Sequence, residues 1–240
     1  MAPQSSPGPQ PTGSGRPRGG AAPEGSPSHP LTREGVSPLT VNRLSVYLRS
    51  LRNLEARGIQ RISSQQLASE FHLSSTQIRK DLAQFGEFGV RGVGYEVASL
   101  AAKLSDLLRL DRVHPVVLVG MGNLGTALAR FPAFNSGSFL VVAGFDSDPA
   151  KVGRRIGRVP VHALDDLGRV VAETEARMAI LAVPAEAAEE TFRLLSGAGV
   201  SSVLNFAPMS LPSLPSCRVK NVDLRIHLEE LAFFLEPDTR

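Results

Sequence analysis

The fold is decided by the stretch VVLVGMGNLG, residues 116–125. Its four leading apolar residues are typical of a strand that is buried on both faces of a parallel sheet. Glycines with the spacing G-x-G-x-x-G follow at once and lead into a helix-compatible run, residues 126–130. This order of strand, glycine turn and helix is typical of a dinucleotide-binding unit, in which a pyrophosphate lies at the helix N-terminus.

Each glycine of this turn has its own expected role. Gly120 permits the tight turn, Gly122 lets the backbone approach a pyrophosphate, and Gly125 allows the helix to pack closely on the strand. We therefore expect the whole turn to bind the nucleotide, through Gly120, Met121, Gly122, Asn123, Leu124 and Gly125.

An acidic residue ends the next apolar strand. That strand spans 139–145 and is followed by Asp146, twenty-one residues after Gly125. A carboxylate at this spacing accepts hydrogen bonds from the adenosine ribose and repels a 2′-phosphate, so it favours NAD over NADP. Residues 146–149, Asp-Ser-Asp-Pro, are also ordinary turn chemistry, but the spacing favours the functional interpretation.

Further apolar runs extend the sheet. They cover 159–161, 178–183, 203–206 and 219–222, with a helix expected from Ala185. The chain therefore predicts an α/β fold with a Rossmann-like doubly wound parallel sheet. Ligands bind at the carboxyl ends of such strands, so we expect nucleotide contacts from the residues that follow them, namely Pro184, Asn205 and Phe206.

Upstream of the sheet the apolar residues recur at helical spacing. A first amphipathic helix runs from about Leu44 to Leu54. Ser63 and Ser74 each stand three residues before a Gln and just before an apolar run, a pattern that caps a helix N-terminus. Two such starts eleven residues apart predict a helix-turn-helix over about residues 45–84.

The second helix of this motif is polar near its N-terminus, where a recognition helix meets base edges. Four glycines within residues 85–95, together with Val93 and Tyr95, predict a small hairpin, which completes a winged helix. Helix-turn-helix packing also occurs in modules that touch only protein, and that alternative stays open. The predicted DNA contacts are Ser75, Gln77, Arg79, Lys80, Arg91 and Gly92.

The charge of the 240-residue chain is unevenly distributed. The formal net charge is +3, but residues 39–95 alone hold eight Lys and Arg against four acids. Residues 96–240 hold fifteen against seventeen. A local basic surplus is expected where phosphates are bound, and it coincides with the helix-turn-helix.

Several protein classes are excluded by composition. No apolar run approaches the roughly 20 residues that span a bilayer, and residues 1–20 lack a signal-peptide core. Cys217 is the single cysteine, so neither an internal disulfide nor a thiolate metal cluster forms, and we expect no metal. We therefore expect a cytoplasmic protein with no membrane partner.

Residues 1–38 hold nine of the 18 prolines and predict a disordered tail.

The C-terminal helix, residues 223–235, is apolar over a wide arc. Leu224, Leu228 and Leu231 share one face, while Ile226 and Phe233 point elsewhere. Burial against a second subunit explains this arc, and a homodimer also suits a palindromic operator. Burial within its own chain explains it equally well.

The main alternative is a small NAD-dependent oxidoreductase with an N-terminal interaction module. A dehydrogenase needs a substrate domain and a proton donor or acceptor near the nicotinamide. After Val222 only 18 residues remain, and the five histidines lie outside any recognisable catalytic setting. We therefore expect no enzyme and no catalytic residue.

The motifs together resemble one family. Residues 77–82 (QIRKDL), 91–95 (RGVGY), 120–125, 205–208 (NFAP) and 221–223 (NVD) look like the bacterial redox-sensing transcriptional repressor Rex. The resemblance covers about residues 41–234.

That resemblance implies a homodimer with winged helices, Rossmann cores and C-terminal helices exchanged between subunits. It also implies repression of respiratory and fermentative genes when NADH is scarce relative to NAD, and release from operator DNA when NADH rises. Residue by residue, it places Arg49, Tyr95 and Asp223 at the switch between the two states, with Tyr95 and Asp223 also near the nicotinamide.

Four regions are expected. Residues 1–38 form the tail, 39–111 the winged-helix DNA-binding domain, 112–222 the Rossmann NAD(H)-binding domain, and 223–240 the dimerisation helix.

Overall fold

The structure, a computed structural model, describes residues 35–70, 73–89, 93–134 and 137–235. The predicted tail thus lies outside the described residues except for its last four, and Pro38 already belongs to the first helix. None of the helices in these ranges is long and apolar enough to cross a membrane. The domain boundaries given above stay a prediction.

The first three helices of the N-terminal module begin at side-chain caps, whereas the fourth has none. Ser37 Oγ accepts a hydrogen bond from Thr40 N–H at 3.1 Å. Ser63 and Gln66 bond reciprocally, side chain to backbone, at 2.9 and 3.1 Å, which confirms the first predicted capping box. The elements are α1 (Pro38–Ala56), β1 (Arg61–Ile62), α2 (Ser64–Glu70), α3 (Ser75–Ala83), β2 (Tyr95–Glu96) and α4 (Val97–Leu107).

One apolar core holds this module together. Helix α1 packs along α4, and the α2–α3 pair closes the core from the side. Full burial of each large aliphatic side chain contributes about 1.5–3 kcal/mol. The residues that are at most 1% exposed come from every helix and include Leu44, Leu51, Leu67, Ile78 and Leu104.

The predicted hairpin is paired differently from what the sequence indicated. The strand that contains Tyr95 pairs antiparallel with Arg61–Ile62, between α1 and α2, rather than with a neighbouring hairpin arm in the described residues. Tyr95 packs against the apolar core that the helices form, and this contact holds its strand against the core. Residues 90–92, the expected tip, lie outside the described residues.

A sheet forms the second module, and its strands in the described residues are β3 (His114–Val119), β4 (Phe139–Phe145), β5 (Arg155–Ile156), β6 (Val159–His162), β7 (Met178–Leu181), β8 (Ser202–Asn205) and β9 (Arg218–Asn221). These seven strands lie in the order β5-β6-β4-β3-β7-β8-β9. All neighbouring strands are parallel except the edge pair β5 and β6. The chain reverses its direction of winding between β3 and β7, the position where dinucleotides bind in such sheets.

Helices cover both faces of the sheet, which is why its central strands are apolar throughout. On one face, α6 (Leu167–Thr174) and α7 (Ala185–Gly197) pack against Val117 and Leu181. On the other face, α5 (Asn123–Arg130) packs against Leu118. The predicted doubly wound sheet is confirmed.

The last helix, α8 (Leu224–Phe233), is apolar and exposed. Its large side chains keep 58–83% of their surface accessible, from Ile226 at the low end to Phe233 at the high end. The structure therefore contradicts one of the two explanations given for this helix, burial within its own chain. An exposed apolar surface of this kind marks an interaction site.

Candidate nucleotide and DNA sites

A cleft of about 580 Å³ opens at the carboxyl ends of β3, β4 and β7. The topology places it there, because the crossover helices leave the strand ends uncovered at the switch in winding. Most of the predicted nucleotide contacts line this cleft: Gly120, Gly122, Asn123, Leu124, Asp146, Pro184 and Phe206.

The glycine turn is fixed by backbone contacts. Gly120 has φ +92°, and a Cβ there would lie 2.3 Å from the carbonyl oxygen of Ala182. A Cβ at Gly125 would lie 1.8 Å from the carbonyl oxygen of Gly120. Gly122 differs, since a Cβ there meets nothing within 4 Å. The fold itself thus requires two of the three glycines, and the third is free to serve a ligand.

Helix α5 begins inside this cleft. Gly122 is its N-cap and provides no side-chain hydrogen bond. The first N–H groups of a helix lack partners within the helix, and the helix dipole gives that end a partial positive charge. The turn therefore presents backbone donors suited to a phosphate or pyrophosphate.

Asp146 connects the cleft to the glycine turn. Its Oδ2 accepts hydrogen bonds from Met121 N–H at 2.8 Å and from Lys151 Nζ at 3.0 Å. Its Oδ1 accepts from Asp148 N–H at 2.8 Å. Burial alone raises the pKa of Asp146, but these three donors outweigh burial and hold the pKa below its ordinary value. The carboxylate is therefore ionised at neutral pH, as a ribose acceptor has to be.

Met121 and Asn205 lie outside the cleft lining, although both were predicted as nucleotide contacts. The side chain of Met121 is 2% exposed and packs beneath the sheet against Gly144. Asn205 is 1% exposed, and its amide donates to Met209 O at 2.7 Å and to Asn221 Oδ1 at 2.8 Å. Because both side chains are buried, they do not reach a ligand in the cleft. They support the residues that line it.

Asn221 shapes the same loop, a role that its place in the NVD motif does not predict. Its Oδ1 accepts from Leu211 N–H at 3.0 Å, and its amide donates to Leu211 O at 3.0 Å. Together with Asn205 it fixes the loop that carries Phe206 into the cleft. Asn205 is buried and Asn221 is exposed, but the side-chain polar atoms of both have partners, which holds the loop in one conformation.

The three residues assigned to a switch lie on three separate elements. Arg49 is exposed on α1, and Tyr95 belongs to β2 of the N-terminal module. Neither lines the nucleotide cleft. Asp223 is the N-cap of α8 and lines an adjoining groove that shares Leu124 and Phe206 with that cleft. Within one chain the structure does not bring these residues together, and their joint role stays a prediction.

The candidate DNA surface is the exposed side of α3. Arg79 and Lys80 are both exposed, and Ser75 begins the helix. Arg79 donates to Ser64 Oγ at 3.0 Å and to Thr76 Oγ1 at 3.2 Å, so two of its five N–H groups are used within the module. The predicted contacts Arg91 and Gly92 lie outside the described residues.

Gln77 is placed differently from what its sequence pattern indicates. The second capping box would send its side chain back to the start of α3. Ser74 Oγ does accept from Gln77 N–H at 3.4 Å, but the Gln77 amide donates instead to Asp81 Oδ1 at 2.8 Å. The amide nitrogen has two N–H groups and only one is used by Asp81, so the contact of Gln77 with DNA stays a prediction.

Asp81 is the centre of a buried polar cluster that joins α3 to α1. Its side chain is fully buried and receives Arg43 Nε at 2.6 Å, Arg43 Nη2 at 2.8 Å and Tyr47 OH at 2.8 Å. The Arg43 guanidinium, followed by the hydrogen bonds from Tyr47 and Gln77, lowers the pKa of Asp81 against the effect of burial. This carboxylate therefore links α3 to α1.

We expect Asp81→Ala to lower the free energy of unfolding of the N-terminal module by about 2–4 kcal/mol, since it leaves buried donors unpaired. Tyr47→Phe removes one bond and should cost about 1 kcal/mol. Because the folded pKa of Asp81 is depressed, the stabilisation is fully present above the unfolded pKa of about 4 and is lost as the pH falls through the lower, folded pKa. The unfolding free energies of wild type and Asp81→Asn should therefore converge only at pH values below the folded pKa. A difference that is constant with pH would show that the charge is not involved.

Cys217 carries no chemistry at either site. It is 1% exposed, and burial raises the pKa of its thiol. A buried, protonated thiol is a poor nucleophile and a poor redox sensor. Among the described residues, no three or more His, Cys, Asp or Glu side chains group as metal ligands do.

Two family models match the two modules. One described as "Putative DNA-binding protein N-terminus" matches residues 35–83, and one described as "CoA binding domain" matches residues 111–209. The first range contains the helix-turn-helix, and the second contains the residues that line the nucleotide cleft.

Relatives and solved structures cover both modules together. The chain is 44% identical over 200 residues to the redox-sensing transcriptional repressor Rex of Desulforamulus reducens, covering 83% of this chain and 95% of that protein. It is 40% identical over 210 residues to Rex of Streptomyces coelicolor, covering 87% and 81%.

Crystal structures of RSP, a Rex-family repressor, have the same architecture. The structure with β-NAD+ and operator DNA has a TM-score of 0.79 at 32% identity, covering 82% of this chain and 91% of that one. The structure with β-NADH has a TM-score of 0.75 at 31% identity, covering 82% and 93%. The chain therefore belongs to the family of the redox-sensing transcriptional repressor Rex.

Proposed function

We propose that this protein is a transcriptional repressor that binds operator DNA and is released from it by NADH. The observation that carries the proposal is the presence, in one chain, of a nucleotide cleft with an ionised ribose acceptor and a helix-turn-helix with exposed Arg79 and Lys80. The structures of RSP with β-NADH, and with β-NAD+ and operator DNA, support the same pair of ligands.

The ligand of the cleft is NAD(H), bound as a regulator. The backbone donors of α5 suit the pyrophosphate, and Asp146 suits a ribose with free hydroxyls. The other candidate, raised by the family model for CoA binding, is coenzyme A. Its adenosine ribose carries a phosphate, which the Asp146 and Asp148 carboxylates repel, so the cleft favours NAD(H).

The functional unit is a homodimer in which α8 is buried against a second copy of the chain. The exposure of Leu224, Leu228, Leu231 and Phe233 supports it, because monomers rarely leave such a surface in water. A two-fold dimer presents two α3 helices to two half-sites and so requires a palindromic operator. Sedimentation of the full chain tests the dimer, and an intact monomer at micromolar concentration would contradict it.

The response to NADH follows from linkage. NADH releases DNA when it binds the DNA-incompetent dimer better than the competent one, and operator DNA then weakens NADH binding by the same factor. NAD has to discriminate less between the two forms. The repressor thus reports the ratio of the two nucleotides without transferring a hydride. We therefore propose that it is not an enzyme and that it acts in the cytoplasm, where bacterial DNA lies.

The test is a fluorescence anisotropy titration of a labelled palindromic operator at fixed salt. We expect tight binding without nucleotide, little change with NAD, and a loss of affinity of at least tenfold with NADH. The measured coupling factor should be the same when NADH binding is titrated with and without operator. Operator affinity that ignores both nucleotides would contradict the regulatory part. Steady consumption of NADH with an aldehyde or keto acid would instead favour the oxidoreductase.

A further inference from the structure

Lys151 forms an ion pair with Asp146, the carboxylate that we expect to bind the ribose of a nucleotide. Its Nζ lies 3.0 Å from Asp146 Oδ2, on the wall of the cleft. Asp146 is almost covered, with 10% of its side chain accessible, whereas Lys151 keeps 37%. The ammonium group is therefore placed between the carboxylate and the open part of the site.

The acceptor capacity of Asp146 forces a competition. A carboxylate accepts about four hydrogen bonds, and Asp146 already receives three. A ribose that presents two hydroxyls needs two acceptor positions. The donors Met121 N–H and Asp148 N–H are backbone groups fixed by the turn, so Lys151 is the donor that gives way.

Lys151 has a second acceptor close by. Its Nζ lies 3.8 Å from Asp148 Oδ2, and that side chain is 46% accessible. A flexible ammonium group moves between two carboxylates at little cost when one of them is solvated. Asp148 thus keeps the positive charge at the edge of the ribose site after Lys151 leaves Asp146.

We propose that Lys151 is a specificity-determining residue of the nucleotide site. Lys151 releases Asp146 when a ribose with free hydroxyls binds. Its positive charge also offsets the repulsion between a 2′-phosphate and the carboxylates of Asp146 and Asp148. Lys151 thus limits the discrimination between NADH and NADPH that the two acids impose. This inference rests on the proposed function, because it assumes that the cleft binds NAD(H).

The experiment measures dissociation constants for NADH and NADPH by nucleotide fluorescence, at one ionic strength, for wild type and Lys151→Met. We expect NADPH to bind at least tenfold more weakly in the variant, because the phosphate loses its counter-charge. NADH should bind equally well or up to about threefold more tightly, because its competitor for Asp146 is gone. Lys151→Arg keeps the charge, so its ratio of NADPH to NADH dissociation constants should equal that of wild type.

Two controls separate this role from a structural one. Lys103→Met removes a positive charge on α4, where Lys103 faces the Phe88 ring, and should leave both constants unchanged. Asp148→Asn keeps the acceptor for Ala150 N–H but removes the second carboxylate. It should weaken NADH about twofold to fivefold in the wild-type background and have no further effect in the Lys151→Met background.

The outcomes are distinguishable. Equal weakening of NADH and NADPH by Lys151→Met would overturn the inference, since it would place Lys151 on a part that both nucleotides share. An unchanged ratio of the two constants would overturn it as well. If wild type binds neither nucleotide, the proposed function fails instead. Thermal unfolding of each variant identifies any loss of binding that comes from misfolding, and Lys151→Arg then carries the comparison.

Discussion

Gly122→Ala is expected to weaken NADH binding at least tenfold without changing the thermal stability of the protein, whereas Gly125→Ala is expected to reduce both. A Cβ at Gly122 meets nothing within 4 Å, so the fold tolerates it. The same Cβ occupies the space through which a pyrophosphate approaches the α5 donors. At Gly125 it would lie 1.8 Å from the carbonyl oxygen of Gly120, and the turn has to move.

The pair of variants forms its own control, because both add one methyl group to the same turn. Isothermal titration with NADH and differential scanning calorimetry measure the two effects separately. We also expect Gly122→Ala to keep operator affinity while losing its response to NADH. Wild-type NADH affinity in Gly122→Ala would mean that the pyrophosphate lies elsewhere in the cleft. A stability loss equal to that of Gly125→Ala would contradict the open space at Gly122.

The second large effect concerns operator DNA. Arg79→Ala should lower operator affinity by about 2–6 kcal/mol, because a paired contact to a base edge is worth about 1–3 kcal/mol and a dimer loses it twice. Lys80→Ala should weaken binding to specific and non-specific DNA alike and lower the salt dependence by about one phosphate contact per subunit. NADH binding should persist in both variants.

Arg57→Ala is the matched control for this experiment. It removes one positive charge from the same module, but Arg57 is the C-cap of α1 and pairs with Glu70 at the end of α2, so it does not belong to α3. Anisotropy titrations at several salt concentrations, with an operator and a scrambled duplex, separate the loss of charge from the loss of specificity. Retained operator affinity in both Arg79→Ala and Lys80→Ala would overturn the assignment of α3 as the recognition helix.

The sequence predicted most of the nucleotide site because its determinants are local. A buried strand, a glycine turn and an acid at the end of the next strand are all readable over thirty residues. Strand β4 was predicted with the bounds it has, 139–145, and the turn residues Gly120, Gly122 and Asn123 line the cleft. Strand β5 and helix α6 of this module were not predicted, because β5 has two residues and α6 has eight, and such short segments carry little pattern.

The tertiary structure decided which partner a side chain has when the local sequence pattern is the same. Ser63 and Ser74 each stand three residues before a Gln, yet Gln66 closes its capping box and Gln77 turns to Asp81. Its direction depends on a carboxylate that Arg43 and Tyr47 hold in place from α1. These contacts join residues 34 and 38 positions apart, so no local window contains them.

The same limit applies to residues that shape a site without lining it. Asn205 follows the expected strand, and the sequence placed it among the ligand contacts, but burial against Asn221 makes it a support for the Phe206 loop. The wide apolar arc of α8 was evident from the sequence, while its exposure became clear only when the rest of the core had formed without it. Local backbone chemistry is encoded by neighbours in the chain, whereas the direction and burial of a side chain depend on distant residues that folding brings together.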